Sequence, residues 1–182
     1  MIDQLTQVQT LASPVRQEIL DCIIACGRCS IAELAAQLGR KPDSLYYHVR
    51  KLVKVGLLVP RGTRRTEHRH EALYEANVHK PLVRLTRRDP VKAQAIKKLT
   101  AAMLRLTCRD VDQAIDSGKP LFDGSLRRAG AGRVKAWLDE DDLKEVAHLL
   151  EQLRTVLHRG NPPGTGQLYA VTYAFVPVKS RC

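Results

Sequence analysis

Two short amphipathic stretches with a glycine break between them set the tightest limit on how this chain can fold. Ser30-Ile31-Ala32-Glu33 has the form of a capping box. In that motif the serine hydroxyl accepts from the backbone N–H three residues on, and the glutamate carboxylate reaches back to the serine N–H. The helix it opens would bury Ile31, Leu34, Ala35 and Leu38, and Gly39 breaks it. Pro42 restarts a helix, since proline suits the first helical position, and Asp43 sits where the macrodipole favours an acid. This helix would bury Leu45, Val49 and Leu52 and stop near Gly56. Two short helices joined by a tight, glycine-containing turn are the signature of a helix-turn-helix.

The flanks extend the pattern. An amphipathic start (Ile2, Leu5, Val8, Leu11) leads to Ser13-Pro14, an N-cap and first-turn pair. The helix that follows carries Val15, Ile19, Ile23 and Cys26 on one face and ends at Gly27. After Gly56, Leu57-Leu58-Val59 reads as a strand with Pro60 marking its end, and Ala72-Leu73-Tyr74-Glu75 as the returning strand. The loop between them holds Arg61, Arg64, Arg65, His68, Arg69 and His70. A helix-turn-helix followed at once by a basic hairpin is a winged helix.

These residues together resemble the ArsR-type winged-helix family of bacterial transcriptional regulators. The resemblance rests on Leu11 through Leu20 (with Ser13-Pro14-Val15-Arg16), Ser30 through Ala35, Ser44 through Leu52 and Gly56-Leu57-Leu58, within residues 11–76. It implies a homodimer that binds double-stranded DNA at a palindromic operator. The family often has Ser or Thr where this chain has Tyr46, and the cysteine pair of many metal-sensing members around the recognition helix is absent.

On a helical wheel from Leu45, His48 lies at the edge of the core face, and Asp43, Tyr47, Arg50 and Lys54 lie opposite, flanked by Ser44 and Lys51. Such a helix suits a major groove, with its first half at base edges and its later cations at phosphates. Ser44, Tyr47 and Arg50 are the expected base or groove contacts, Lys41, Lys51 and Lys54 the expected phosphate contacts, and Tyr46 borders the set. The wing arginines Arg61, Arg64, Arg65 and Arg69 are expected at the minor groove, where a narrow groove concentrates negative potential. Charge supports this placement: residues 40–70 hold 9 of the chain's 30 Lys and Arg but only 2 acids, in a chain of net +11.

The second half is less determined. Asp89-Pro90 opens a long helix to about Ile115 with an apolar stripe of Val91, Ala95, Leu99, Ala102, Met103 and Leu106. That stripe is longer than a small winged helix can cover, which predicts a dimer interface. A glycine-containing linker over 116–132 follows. Arg133 to Leu138 reads as a strand, Asp139 caps a helix to about Arg159, and Leu168 to Val178 reads as a strand with apolar residues on both faces. Trp137, Tyr169 and Tyr173 suit either core or pocket walls, so an unknown small-molecule effector is left open. The expected fold is α+β and mainly helical: a winged helix-turn-helix over 1–78, a dimerisation helix over 79–118 and a strand–helix–strand accessory region over 119–182, for dimerisation or an effector.

Other chemistry is thinly represented. Cys22, Cys26 and Cys29 form a C-x₃-C-x₂-C cluster that suits either a soft metal or oxidation, or else small apolar residues at a core edge. The six histidines fall on a helix edge, a wing, a linker and an amphipathic helix, and no glycine loop cradles a phosphate. No catalytic residue, cofactor or metal site is expected. No apolar run reaches membrane-spanning length, the start lacks a signal peptide's pattern, and an odd cysteine count suits reduced thiols, so a cytoplasmic protein is expected. The alternatives to a sequence-specific regulator are a non-specific DNA-architectural or protein-contact winged helix, and a thiol-based metal- or redox-sensing repressor.

Overall fold

The computed structural model describes residues 2, 4–66, 70–78, 83, 89–117, 129–160 and 165–179. Its elements run α1 (Leu5–Leu11), α2 (Pro14–Cys26), β1 (Cys29–Ser30), α3 (Ile31–Leu38), α4 (Pro42–Lys54), β2 (Leu58–Arg65), β3 (His70–Ala76), α5 (Pro90–Asp116) and α6 (Glu140–Arg159). The chain divides into two units, Met1–Asp110 with Tyr169–Cys182, and Val111–Leu168.

In the first unit, helices α1 to α4 and the sheet close around Ile19, Leu20, Ile23, Leu34, Leu45, Leu52, Leu57 and Leu58, all essentially sealed from water. The α5 residues Ala95, Ile96 and Leu99 join this core. Buried Gln17 secures the junction, its amide donating to Leu11 O at 2.7 Å and to Leu99 O at 3.3 Å. A buried amide satisfied twice in this way ties α1, α2 and α5 together without leaving a donor orphaned.

The local signals explain most helix ends. The Ser30 capping box is complete, and Gly39 ends α3 in the left-handed region at φ 60°. There the Gly39 and Arg40 N–H groups bond back to Ala36 O and Ala35 O. Gly56 (φ 71°) repeats the device after α4, with Gly56 N–H to Val53 O and Leu57 N–H to Leu52 O. Both are Schellman closures, and together they fix the directions in which the chain enters and leaves α4. At α2 the expected N-cap is only positional, because the Ser13 side chain makes no capping bond.

The sheet is antiparallel with order β1-β3-β2. Two features depart from the sequence reading. The two-residue strand β1 was not expected; it pairs Cys29 with Tyr74 and Ser30 with Leu73. Pro60 does not end β2, which continues to Arg65 after a shift in register between Pro60 and Thr63. The shift accommodates one extra residue, and Gly62 supplies the positive φ (85°) that a bulge of this kind uses. β2 is an edge strand, where the N–H that proline lacks is not needed for a second ladder. The hairpin is therefore longer and its tip shorter than expected.

The anticipated strands at 133–138 and 168–178 form no ladder among the described residues. Alternation of apolar side chains establishes which faces want burial, but a strand also needs a hydrogen-bonded neighbour. The α6 helix between them is present, begun by a capping box of Asp139 and Asp142. Residues 118–128, within the expected linker, lie outside the described residues.

Candidate nucleic-acid interface

Helix α4 turns Leu45, Val49 and Leu52 into the core and leaves its other side open. Lys41, Ser44, Tyr46, Tyr47, Arg50, Lys51 and Lys54 are all exposed. Tyr47 is 59% exposed, a large apolar ring held in water. It is held there by its neighbours: the His48 ring stands edge-on at 5.4 Å, and Lys51 Nζ lies 5.4 Å from the Tyr47 ring centre. A cation over a tyrosine face is attracted by the ring quadrupole, and it remains available to a phosphate on its outer side. Lys51 and Lys54 occupy the last helical turn, where the macrodipole also favours cations.

At the other end, the Ser44 hydroxyl donates to Lys41 O at 2.7 Å. That bond uses its proton and leaves the oxygen lone pairs free to accept, for example from a base amino group. His48 is half-buried, with Nδ1 lacking a partner among the described residues. Burial, then Arg16 and Arg40, holds its pKa below the usual histidine value, which favours the neutral ring.

Of the wing arginines, Arg61, Arg64 and Arg65 are exposed, but they are not equivalent. Arg61 Nε lies 3.6 Å from Glu75, which Arg28 also engages at 3.0 Å. Arg64 lies 2.9 Å from Glu33, the α3 capping residue, and 3.9 Å from Glu71. The Ser30 backbone N–H bond, with Arg64 also contributing, lowers the Glu33 pKa and keeps it ionised. Arg65 makes no ion pair among the described residues, and Arg69 and His68 lie outside them. Arg61 and Arg64 are thus engaged by carboxylates, and Arg65 beside them is not.

Sequence reasoning missed the groups that hold the site in place. Glu18 of α2 is 11% exposed and accepts from Arg40, in the α3–α4 turn, at 2.8 Å and from Arg109 of α5 at 2.6 Å. Arg28, half-way between helix and sheet, was likewise missed. These pairs join residues far apart in the chain, and no local pattern marks them.

The three clustered cysteines are free. The Cys22 and Cys26 thiols lie 2.6 and 3.1 Å from Gln37 Oε1, and Cys29 Sγ lies 3.6 Å from Gly27 O. Burial, then the neighbouring Cys26, pushes the Cys22 thiol up to about 12 and the Cys29 thiol to about 11. Both thus favour the thiol over the thiolate that metal binding and oxidation require. Among the described residues no group of three or more His, Cys, Asp or Glu is arranged to hold a metal ion.

Residues 11–61 match a family model described as a helix-turn-helix domain. That segment spans α2 to the first part of β2, including the whole exposed face of α4. No curated protein matches the chain. A helix-turn-helix domain points to DNA as the partner and to transcription regulation as the role. No helix among the described residues is long and apolar enough to cross a membrane.

Proposed function

We propose that this chain is a sequence-specific transcriptional regulator of the ArsR type that binds operator DNA as a homodimer. The observation that carries the reading is the outward face of α4, with an exposed Tyr47 among Ser44, Arg50, Lys51 and Lys54. In this reading α4 enters the major groove, Ser44, Tyr47 and Arg50 contact base edges, and Lys41, Lys51 and Lys54 contact phosphates. Tyr46 lies at the groove wall, and Arg61, Arg64, Arg65 and Arg69 lie along the minor groove. By function the chain divides into a DNA-binding part over 1–78, a dimerisation helix over 79–118 and an accessory region over 119–182.

Self-association through α5 is supported by what that helix leaves uncovered. Most of the stripe expected to face a partner is instead buried within the chain (Ala95, Leu99, Ala102 and Leu106), so the contact would use Val91, Leu104, Val111 and Ile115, which are exposed. Beside its start, Gln9 of α1, Ala12 just past it, and Pro90, Val91 and Gln94 line an open groove of about 680 Å³. A two-fold pair would set two α4 helices about one DNA turn apart.

The test is selection of binding sites from random duplexes at moderate salt, with the mass in solution recorded alongside. A palindromic motif bound by a dimer is expected. Arg50→Ala or Tyr47→Ala should relax preference at one position of each half-site, at a cost of about 1–3 kcal/mol. Lys54→Ala should weaken binding evenly across sequences and reduce the salt slope by about 1. Binding with no enriched motif that collapses as salt rises would overturn the reading in favour of an architectural role.

A further inference from the structure

The second unit contains an amphipathic helix whose apolar side is left largely open among the described residues. No residue of α6 is buried, and Leu143, Leu149, Leu153, Val156 and Leu157 are exposed. These recur at the spacing that forms one broad apolar stripe. The extended segment leading into α6 adds Trp137, 85% exposed, and Val134, 89% exposed. Helices in water draw most of their stability from packing such a stripe, and a tryptophan so fully wetted is an unfilled contact. We propose that α6 pairs antiparallel with the α6 of a second copy of this chain, with Trp137 covered in the contact. The proposal deepens the homodimer reading by adding a contact surface separate from α5, and it does not depend on DNA binding.

Two observations select the occupant. The first is charge along the helix. Its first turn carries Glu140, Asp141 and Asp142, and its last turn carries His158 and Arg159. Side by side in parallel, two copies set like charges together; antiparallel about a two-fold axis, each acidic turn meets a basic one. The acidic end lies next to Trp137, which disfavours a nucleic acid or an anionic membrane on this face. The second observation is the apolar surface. Eight large apolar side chains are exposed between Val134 and Leu157, the kind of apolar centre that one side of a standard-size interface buries.

Trp137 is the chain's single tryptophan, so its fluorescence reports this contact alone. In the full-length protein, its emission should shift to the blue and resist acrylamide at high concentration, then revert on dilution. Two charge variants test the pairing: Glu140→Lys with Asp141→Lys, and His158→Glu with Arg159→Glu. Asp139 and Asp142 are left alone because their mutual bonds begin the helix. Each variant by itself should weaken the contact about tenfold. An equimolar mixture should restore Trp137 shielding, because opposite charges then meet at both ends of the mixed pair. Shielding that the mixture fails to restore, or single variants that behave like the parent, would overturn the proposal. So would a dimeric mass with Trp137 open to quencher, an outcome that leaves the α5 interface standing. A monomer at every concentration would overturn both.

Discussion

Replacing Glu18 should weaken the DNA-binding unit more than an ordinary surface substitution, and the size of the effect follows from its two partners. The carboxylate is 11% exposed and gives one oxygen to Arg40 at 2.8 Å and the other to Arg109 at 2.6 Å. Breaking a fully buried ion pair costs about 3–5 kcal/mol, whereas exposed pairs contribute about 0–1 kcal/mol. Here the acceptor is nearly buried and the arginine side chains are 34% and 41% exposed. About 1 kcal/mol per bond is therefore appropriate, or about 2 kcal/mol for Glu18→Ala. Arg109 retains Asp110 at 3.3 Å, which limits its loss. Glu18→Gln, which keeps an acceptor but no charge, should cost about half as much. In urea melts followed by far-ultraviolet circular dichroism, the alanine variant should lose about 1 M in midpoint. The decisive measurement is a double-mutant cycle of Glu18→Ala with Arg109→Met and with Arg40→Met. Coupling of about 1 kcal/mol in each cycle is expected, and strict additivity in both would refute the relay.

Two smaller tests address other joints. Ser30→Ala removes the acceptor for the Glu33 N–H, 3.2 Å away, and should lower stability by about 1 kcal/mol in the same melts. Asp21→Asn tests a crowded carboxylate. Burial of its carboxyl group, then Asp110 and Glu18, raises the Asp21 pKa from 3.8 to about 6. A raised folded-state value means the native protein holds an extra proton across that window, so this residue's contribution to stability falls as pH rises through it. The asparagine variant should match the parent near pH 4 and exceed it above pH 6. Asp21 is nonetheless an exposed residue whose carboxyl is crowded rather than sealed, so screening should hold the gain near 1 kcal/mol. A gap between the two proteins that does not change with pH would refute the assignment.

The helices were legible because their ends are chemically marked. Ser30 with Glu33, Asp139 with Asp142, Pro42, Gly39 and Gly56 are local devices, each acting within a few residues of itself. The outward face of α4 was legible for a similar reason, since one helix period separates Leu45, Val49 and Leu52 from Tyr47, Arg50 and Lys54. What escaped depends on partners distant in the chain. Ile96 lies off the expected α5 stripe yet is buried against the first unit's core. Gln17 reads as a surface residue until Leu11 O and Leu99 O are seen to take its amide. Strand β1 is two residues long and exists only because Tyr74 and Leu73 lie opposite. The segments at 133–138 and 168–178 show the converse, with strand-like composition and no ladder.

Ser30 and Cys29 carry one further consequence. Cys29 and Ser30 lie in the sheet with β3, Ser30 also begins α3, and Glu33 in that helix's first turn grips Arg64 of β2. The hairpin is fastened to the helix pair at two separate points and works with it as one caliper. The gap between its jaws, α4 on one side and the wing on the other, is therefore set by the protein itself. Exchanging the outward residues of α4 should re-address such a caliper while leaving its gap unchanged, and lengthening the tip beyond Arg65 should extend one jaw without moving the other.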